Sequence, residues 1–500
     1  MLFNSYAFLF AFLPVALAGY FLLGRRSITL AAGWLALASL FFYGWWDARY
    51  LPLLIGSILF NYLTGRAIAT RAGTPAAGRL LALGITADLA LLIGYKYSAL
   101  FIDTANRMAG LGLPVPDIVL PLGISFFTFT QIAFLVDAWA GKVHETRLVS
   151  YTLFVTYFPH LIAGPVLHHG EMMPQFERAR NFRPHLNNFL IGGSIFVFGL
   201  AKKVLLADNL APLAGAVFDR SSEPGLLVAW GGVLAYTFQL YFDFSGYSDM
   251  AIGLSRLFGV KLPLNFDSPY KAATISDFWR RWHMTLSRFL RDYLYIPLGG
   301  NKHGPLRRYG NLLVTMLLGG LWHGAGWNFL LWGGLHGAYL CIQHAWSSMF
   351  RLPRPLAVLL TFVAVVIAWV FFRATSLPVA FDLLAGMAGA HGVGLPEAIG
   401  QRLGPLAPLL QRLGVEFYGG GGEQFVTTWI WVTGAAFVAF ACPNTQQIHA
   451  RLRPAIERVR PLRGGPHFSL HPRWAVGLGL ASTLCVLALS RPSEFLYFQF

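Results

Sequence analysis

Long apolar runs are the feature that most constrains how this chain can fold. Many of them have the length of about 17 to 25 residues with which a helix crosses a bilayer. Lipid offers no partners to a bare backbone, so such runs are expected to be α-helical. The pattern predicts membrane-spanning helices at residues 5–23, 28–46, 51–65, 80–100, 188–206, 225–245, 309–331, 355–372, 425–443 and 474–490.

The charge pattern indicates a membrane protein and argues against nucleic-acid binding. Only 12% of the 500 residues are charged and 56% are hydrophobic, whereas a soluble domain carries about 25% charged residues. The net charge of +16 comes from basic loops between apolar runs, such as Arg25 with Arg26 and the group Arg66, Arg71 and Arg79. Cytoplasmic loops retain lysine and arginine, so the N-terminus is predicted outside and the first run is read as a retained helix.

Two regions interrupt this simple pattern. Between residues 116 and 170, proline and glycine break the apolar runs and polar side chains fall among them. Such a region predicts re-entrant or broken helices, which other protein or a cavity must surround. Residues 391–424 are rich in glycine and proline and are predicted to form an outer loop.

A basic amphipathic helix is predicted around residues 276–291. Phe278, Trp282 and Leu286 recur at steps of four with arginines between them, and Ser276 or Asp277 is expected to cap its start. Two interpretations stay open, a helix lying on anionic lipid and a helix that lines a substrate path.

His323 and His336 are the most unusual residues of the apolar runs. Both lie in an uncharged stretch at residues 311–340 that is crowded with glycine. Ionisable side chains are costly in a membrane, so they are functional candidates there. A neutral imidazole can take the proton of an attacking alcohol, which typically contributes about 10²- to 10⁴-fold to a rate. The alternative is a histidine that is hydrogen-bonded between helices.

Other polar residues offer weaker candidates. His283 follows Arg280 by three residues and would share its helix face, as part of the same cavity or as a structural residue. Asp243, in the sequence YFDFSGYSDM, suits a sugar-like acceptor, a helix cap or a partner for an arginine of residues 280–291. His160, His168 and His169 mark the broken region.

Several chemistries lack their usual sequence signatures. The three cysteines have no paired spacing, which indicates neither a disulfide framework nor a zinc site. The sequence has no Walker A loop, no Gly-x-Ser-x-Gly elbow and no HExxH motif. A direct, histidine-assisted transfer without a metal is the simplest catalytic hypothesis.

Several long motifs resemble one known family. They are MLFNSYAFLFAFLP, PLGISFFTFTQIAFLVD, FPHLIAGPVLHHGEMMPQF, QLYFDFSGYSDMAIGLSRLFG, NFDSPYKAATISDFWRRWHMTLSRFLRDYLYIPLGGN, LLGGLWHGAGWNFLLWGGLHG and FLYFQF. Together they resemble the membrane-bound O-acyltransferase (MBOAT) family, in particular its alginate O-acetyltransferase membrane subunits.

The resemblance implies a fold and an active site. The fold is an all-α polytopic membrane protein of MBOAT type, with re-entrant segments around a central cavity. One MBOAT domain covers residues 1–500, with N-terminal spans at 1–110, a catalytic core at 116–345 and C-terminal spans at 346–500. His323 in LWHG matches the family's essential histidine and His283 in RRWH its second histidine. Many relatives carry arginine at the position of His168, which leaves the role of that residue open.

The resemblance also implies a reaction and its partners. It is an O-acetyltransferase of the bacterial inner membrane, with acetyl-CoA as a cytoplasmic donor and no permanently bound cofactor. The acceptor is an exported alginate-like polysaccharide or a periplasmic SGNH-type, esterase-like partner beside the polysaccharide synthesis machinery. Lipid surrounds the protein, and nucleic acid is not a partner.

Three alternatives to polysaccharide acetylation remain. A transporter or flippase would also need broken helices and buried histidines, although it often shows inverted repeats and membrane carboxylates. A D-alanyl or other acyl transferase of the same family would share the motifs. A scaffold that recruits a periplasmic acetylase would leave the histidines structural.

Overall fold

Most of the described residues are helical, as expected from the apolar runs. The computed structural model describes residues 1–143, 147–162, 164–219, 223–346, 352–462, 464–491 and 496. The terminal motif FLYFQF lies outside the described residues apart from Leu496. Within the described residues the β-structure is a single pair of four-residue strands, so the predicted all-α polytopic fold class is confirmed.

The first half of the chain contains six long helices and then a series of short ones. The long helices are α1 (Leu13–Gly24), α2 (Ile28–Gly44), α3 (Leu51–Ala69), α4 (Pro75–Leu92), α5 (Ser98–Ala109) and α6 (Ile124–Trp139). The short helices are α7 (Leu148–Thr156), α8 (Phe158–Leu161) and α9 (His169–Met172). The α8–α9 connection and the break at Tyr157 confirm the predicted broken region, although α6 is continuous within it.

The middle of the chain carries the residues of greatest interest. Its helices are α10 (Leu186–Ala201), α11 (Asp208–Phe218), α12 (Leu226–Leu257), α13 (Ile275–Trp279), α14 (Met284–Leu290), α15 (Gly304–His323) and α16 (Trp327–Trp346). Single π-helical turns join several elements, at Phe8–Phe12, Ile93–Tyr97, Lys202–Ala207 and Arg291–Tyr295. Such turns are frequent at functional sites.

The C-terminal part adds three long helices and a small outer unit. The elements are α17 (Arg354–Arg373), α18 (Leu377–Met387), β1 (Val393–Pro396), α19 (Glu397–Leu403), α20 (Leu406–Arg412), β2 (Val415–Tyr418), α21 (Gly422–Ala441), α22 (Thr445–Ile448) and α23 (Pro472–Ala488). The prediction of an unstructured loop at residues 391–424 is wrong, because β1 and β2 pair in parallel there with Val393 opposite Val415.

Five helical stretches of the described chain are long and apolar enough to cross a membrane. They are Ala48–Ala69, Pro75–Ala109, Leu186–Phe218, Arg354–Arg373 and Gly422–Ala441. Each overlaps a span predicted from the sequence. The predicted span at residues 309–331 is wrong, because extended backbone at Gly324 ends α15 and α16 begins at Trp327. Two antiparallel helices therefore replace one.

The predicted amphipathic helix at residues 276–291 is also wrong as a single element. It is divided into α13 and α14, with His283 in a left-handed conformation (φ 42°, ψ 53°) between them. The cap is the Thr274 side chain, which accepts a hydrogen bond from the Asp277 N–H (3.1 Å). Its apolar face is buried inside the protein, where Leu286 is 0% exposed.

Helices α10 and α12 form a close central contact. A Cβ on Gly192 would lie 2.6 Å from the carbonyl oxygen of Gly253, and one on Gly253 would lie 2.6 Å from that of Gly192. Gly199 and Gly246 meet in the same way about two turns along. Small residues let membrane helices approach at the backbone, and here they place α12 in the centre of the bundle.

The two ends of the bundle differ in charge. At one end, the Tyr20 hydroxyl bonds to the carbonyls of Asn181 and Phe258 (both 3.3 Å), which joins the ends of α1 and α12. We call this the basic end, because many arginines lie near the helix termini found there. They are Arg25, Arg26, Arg180, Arg183, Arg256, Arg307, Arg308 and Arg354.

The opposite end, which we call the mouth end, joins the end of α11, the start of α16 and the end of α17. The Arg373 guanidinium forms an ion pair with Asp219 (2.7 Å), and Asn328 Nδ2 donates to the Ala374 carbonyl (3.1 Å). His323, the last residue of α15, therefore lies toward the mouth end.

Candidate active site

His323 lies in an aromatic cage at the end of α15. Its side chain is largely buried, with 7% of the residue exposed. Ring centroids of Trp322, Trp332 and Phe372 lie 4.8, 5.0 and 5.2 Å from that of His323. The helix ends here because Gly324 takes an extended conformation, and a Cβ on Gly324 would collide with the Phe329 ring at 2.1 Å. The glycine therefore lets the aromatic cage close.

Side chains of a neighbouring helix satisfy the last carbonyl groups of α15. Lys96 Nζ donates to the carbonyls of Trp322 (2.7 Å) and His323 (3.0 Å), and the Tyr97 hydroxyl donates to that of Leu321. The final carbonyls of a helix have no partner within it and carry its negative partial charge. The buried amine thus supplies both hydrogen bonds and complementary charge.

His283 lies beside His323, although 40 residues separate them in the chain. The two ring centroids are 6.4 Å apart, and His283 is completely buried. Its left-handed backbone is uncommon for a residue with a side chain and is typical of functional sites. The two histidines predicted from the sequence are therefore brought together.

Asn265 orients the His283 ring. Its Oδ1 accepts from His283 Nδ1 (3.1 Å) and from the Thr285 hydroxyl (2.9 Å). Because a carbonyl oxygen can only accept, Nδ1 carries the hydrogen and Nε2 is left as an acceptor. His283 Nε2 is buried and has no partner among the described residues, so it is available to a bound molecule.

His336 also lies in this region, and its contacts indicate a structural role. It is completely buried on α16, where Nδ1 accepts from the Trp279 indole N–H (3.3 Å). Its ring lies 4.8 Å from that of Trp332 and 6.0 Å from that of Phe278. His336 thus holds the aromatic cage that surrounds His323.

A cavity of about 690 Å³ opens beside the cage at the mouth end. Phe329 and Phe372 line it, and Phe372 also packs on His323. Its polar lining includes Asn328, Thr375 and Ser376 together with Asp103, Arg107 and Arg373. Arg107 is paired with Asp103 (2.9 Å), so part of this positive charge is neutralised. The cavity therefore borders the cage of His323 through Phe372.

A second polar cluster lies on the other side of α14, between α6 and α9. The Tyr293 hydroxyl donates to Asp137 Oδ2 (2.7 Å) and contacts His168 Nδ1 (3.2 Å). His169 Nδ1 lies 3.2 Å from the same carboxylate. Burial, together with the nearby Arg288 cation, lowers the pKa of His168. His160 lies apart from this cluster, bonded to the Phe154 carbonyl.

Asp243 belongs to a buried ion-pair network rather than to a sugar site. Lys203 Nζ lies 2.5 Å from Asp243 and 2.7 Å from Asp208. Its partner is therefore a lysine of the π-turn between α10 and α11, and the predicted pairing with an arginine of residues 280–291 is wrong. Buried charges need such partners, and this network supplies them at the centre of the bundle.

Sequence reasoning missed Lys96 and Asn265. Lys96 lies in the predicted span at residues 80–100, where an isolated lysine is itself an indication of function. No local pattern marks Asn265, because its role depends on a contact with His283, which lies 18 residues later in the chain. Among the described residues no group of three or more histidine, cysteine, aspartate or glutamate side chains is arranged to hold a metal ion.

Comparison with known proteins places these residues in a family context. The model of the family described as MBOAT, membrane-bound O-acyltransferase, matches residues 86–380, which include His283 and His323. The chain is 46% identical over 427 residues to the peptidoglycan O-acetyltransferase of Helicobacter pylori, covering 79% of this chain and 81% of that protein.

Other relatives carry different names. The probable alginate O-acetylase of Azotobacter vinelandii is 45% identical over 396 residues, covering 77% of this chain and 78% of that protein. The teichoic acid D-alanyltransferase of Streptococcus thermophilus is 31% identical over 239 residues, covering 45% of this chain and 57% of that protein. The stronger similarity is thus to proteins named for O-acetyl transfer.

Proposed function

The chain belongs to the membrane-bound O-acyltransferase family and is an O-acyltransferase, and from this premise we propose that it transfers acetyl groups from cytoplasmic acetyl-CoA to an exported polysaccharide. The receiving hydroxyl belongs to the polymer itself or to a periplasmic SGNH-type partner that completes the transfer. The main support is the burial of His323 and His283 together, with ring centroids 6.4 Å apart, beside the mouth cavity.

In the proposed reaction His323 acts as the general base. The acceptor oxygen attacks the thioester carbonyl carbon while a ring nitrogen of His323 takes the hydroxyl proton. The C–S bond then breaks, and the sulfur receives a proton as the free thiol leaves. The products are an O-acetyl ester and CoA. Surrounding aromatic rings keep water from the thioester, which would otherwise be hydrolysed.

His283 positions one reactant in this scheme. Its Nδ1 is fixed on Asn265 and its Nε2 has a free lone pair. A buried acceptor without a partner is costly, so binding a hydroxyl or amide N–H there recovers a hydrogen bond. The acceptor hydroxyl and the amides of the donor's pantetheine arm both offer such a group.

The two reactants are proposed to arrive from opposite ends. Acetyl-CoA carries phosphates, which suit the arginines of the basic end. The acceptor uses the mouth cavity, whose Arg373 is paired with Asp219. Since acetyl-CoA is a cytoplasmic metabolite, we further infer a location in the bacterial inner membrane, with the basic end in the cytoplasm.

The test is replacement of His323 by alanine. We expect polymer acetylation to fall by about 10²- to 10⁴-fold, the usual contribution of a general base. Acetyl ester on the isolated polymer is measured in cells, and purified protein with labelled acetyl-CoA gives the rate of CoA release. His185→Ala is the matched control, because that histidine is exposed and its ring bonds to the backbone carbonyl of Arg180.

Wild-type acetylation by His323→Ala, at a normal amount of protein in the membrane, would rule out His323 as the base. Transfer of D-alanine in place of acetate would retain the mechanism and change the donor.

A further inference from the structure

Lys96 is an isolated lysine in the middle of an apolar helical stretch. It lies in the π-helical turn Ile93–Tyr97, between α4 and α5, and only 9% of the residue is exposed. Among the described residues no carboxylate lies within ion-pair distance of its amine. A buried lysine without an acidic partner needs another source of stabilisation.

The end of α15 provides that stabilisation. The amine contacts the carbonyl oxygens of Trp322 (2.7 Å) and His323 (3.0 Å) and the Ser125 hydroxyl (3.2 Å). An ammonium group has three donors, so three acceptors satisfy it completely. Because a helix C-terminus carries negative partial charge, the cation is also favoured electrostatically at this position.

Further contacts reinforce this connection. The Trp322 indole N–H donates to the Ser125 carbonyl (3.3 Å), so Ser125 on α6 binds both Lys96 and Trp322. Tyr97, the next residue of the π-turn, bonds to the Leu321 carbonyl. The π-turn places Lys96 and Tyr97 side by side against α15. The last turn of α15 is therefore held from two neighbouring helices.

We propose that Lys96 is a positioning residue for the acyl transfer, because it fixes the final turn of α15 and with it the direction of the His323 ring. The inference rests on the proposed function, in which His323 is the base. Lys96 does not touch the reactants, since its three donors already bond to protein. It acts on the rate because small displacements of a catalytic group are costly.

A purely structural role predicts a different result. A residue that only stabilises the fold changes the amount of active protein, whereas a residue that aims the base changes the turnover of properly folded protein. The kinetic constants separate the two, because lost alignment lowers kcat and leaves the KM for the donor nearly unchanged.

The experiment compares Lys96→Met, Lys96→Arg and His323→Ala as purified full-length protein. The rate of CoA release from acetyl-CoA is measured per folded molecule. The amount of folded protein is taken from the monodisperse fraction in size-exclusion chromatography and checked by thermal unfolding. We expect Lys96→Met to lose about 10- to 100-fold in kcat, since a misplacement of about 1 Å can cost 100-fold, with donor KM within about twofold. Lys96→Arg retains cation and donors and is expected to recover part of the loss.

Tyr97→Phe is the matched control. It removes the hydrogen bond to the Leu321 carbonyl at the same helix end, and it leaves the Lys96 amine bonded to the carbonyls of Trp322 and His323. We expect a smaller loss of kcat than in Lys96→Met. Should Lys96→Met not accumulate, Lys96→Gln keeps two donors without the charge and is measured in its place.

The outcomes are separable from those of the proposed function. Wild-type kcat in Lys96→Met or Lys96→Gln, with His323→Ala inactive, overturns the positioning role alone. Failure of both Lys96 variants to accumulate assigns Lys96 to folding and also overturns it. Wild-type activity in His323→Ala overturns the proposed function itself.

Discussion

At the residue scale, His283 depends on contacts made far away in the chain. Its left-handed backbone places it at the N-terminal end of α14, where its ring can face His323 while the helix continues away. Asn265 holds this arrangement twice, since its carbonyl accepts from Met284 N–H (3.0 Å) and its side chain from His283. One residue thus fixes both the backbone and the ring.

Replacement of Asn265 by alanine is expected to lower the acyl-transfer rate. The His283 ring would lose the acceptor that sets its tautomer and direction, and we expect a loss of about 10- to 100-fold in turnover, as for other misaligned catalytic groups. The measurement is CoA release from acetyl-CoA by purified protein.

Ser248→Ala is the control for this change. Ser248 contacts the other side of the same amide, through Asn265 Nδ2 at 3.3 Å, and leaves the bond to His283 in place. Equal losses in both variants would show that general packing around Asn265, and not the orientation of His283, supports activity.

At the element scale, the hairpin of α15 and α16 carries His323 and His336 on two closely packed helices. A Cβ on Gly320 would lie 2.3 Å from the Phe329 carbonyl oxygen, and one on Gly333 would lie 2.3 Å from that of Met316. The glycine-rich sequence therefore serves helix packing as well as access to His323. This close contact also lets Trp332 reach the His323 ring.

Gly333→Ala is expected to separate the two helices. The added methyl group meets backbone, which cannot rotate away, and overpacking of this kind costs about 1–3 kcal/mol of stability. We expect a lower unfolding temperature in detergent and reduced turnover, because the aromatic cage around His323 opens. Thermal unfolding and CoA release measure the two effects.

Gly334→Ala is the matched change one residue along. A Cβ at Gly334 would meet only the Leu317 side chain, at 3.5 Å, which is an ordinary contact. An unfolding temperature of Gly333→Ala equal to that of Gly334→Ala would contradict the close helix contact.

At the scale of the whole molecule, the arginines named above lie at the basic end of the bundle, whereas Arg107 and Arg373 of the mouth cavity are paired with Asp103 and Asp219. Arginine and lysine are retained on the cytoplasmic side and are attracted to its anionic lipids. The arginines of the basic end thus predict the orientation, with the outer unit of β1 and β2 on the far side.

Labelling of single cysteines tests this orientation. After replacement of Cys341, Cys442 and Cys485, a membrane-impermeant maleimide is expected to label Glu416→Cys in cells with an intact inner membrane. We expect it to label Lys302→Cys only after lysis. Both introduced positions are exposed, so access alone decides the result, and the reverse pattern would invert the topology.

The membrane class and five of the ten predicted spans follow from local sequence, and so does the choice of His323 as a candidate. Apolar length and charge are properties of consecutive residues, so the span at residues 355–372 predicts α17 closely. The motifs around RRWH and LWHG pointed to the correct family, and comparison with known proteins confirmed it. The catalytic roles of His323 and His283 remain predictions that the proposed experiments test.

The sequence by itself determined that this chain is a helical membrane protein and which histidines to examine, because hydrophobicity and charge act residue by residue. Only the tertiary structure decided that the run at residues 309–331 turns back at Gly324, since the packing of Phe329 against that glycine comes from another helix. It also decided that Lys96 holds the helix that ends in His323. Hydrogen bonds between residues 227 positions apart leave no periodic trace in a sequence, because they depend on where whole helices meet.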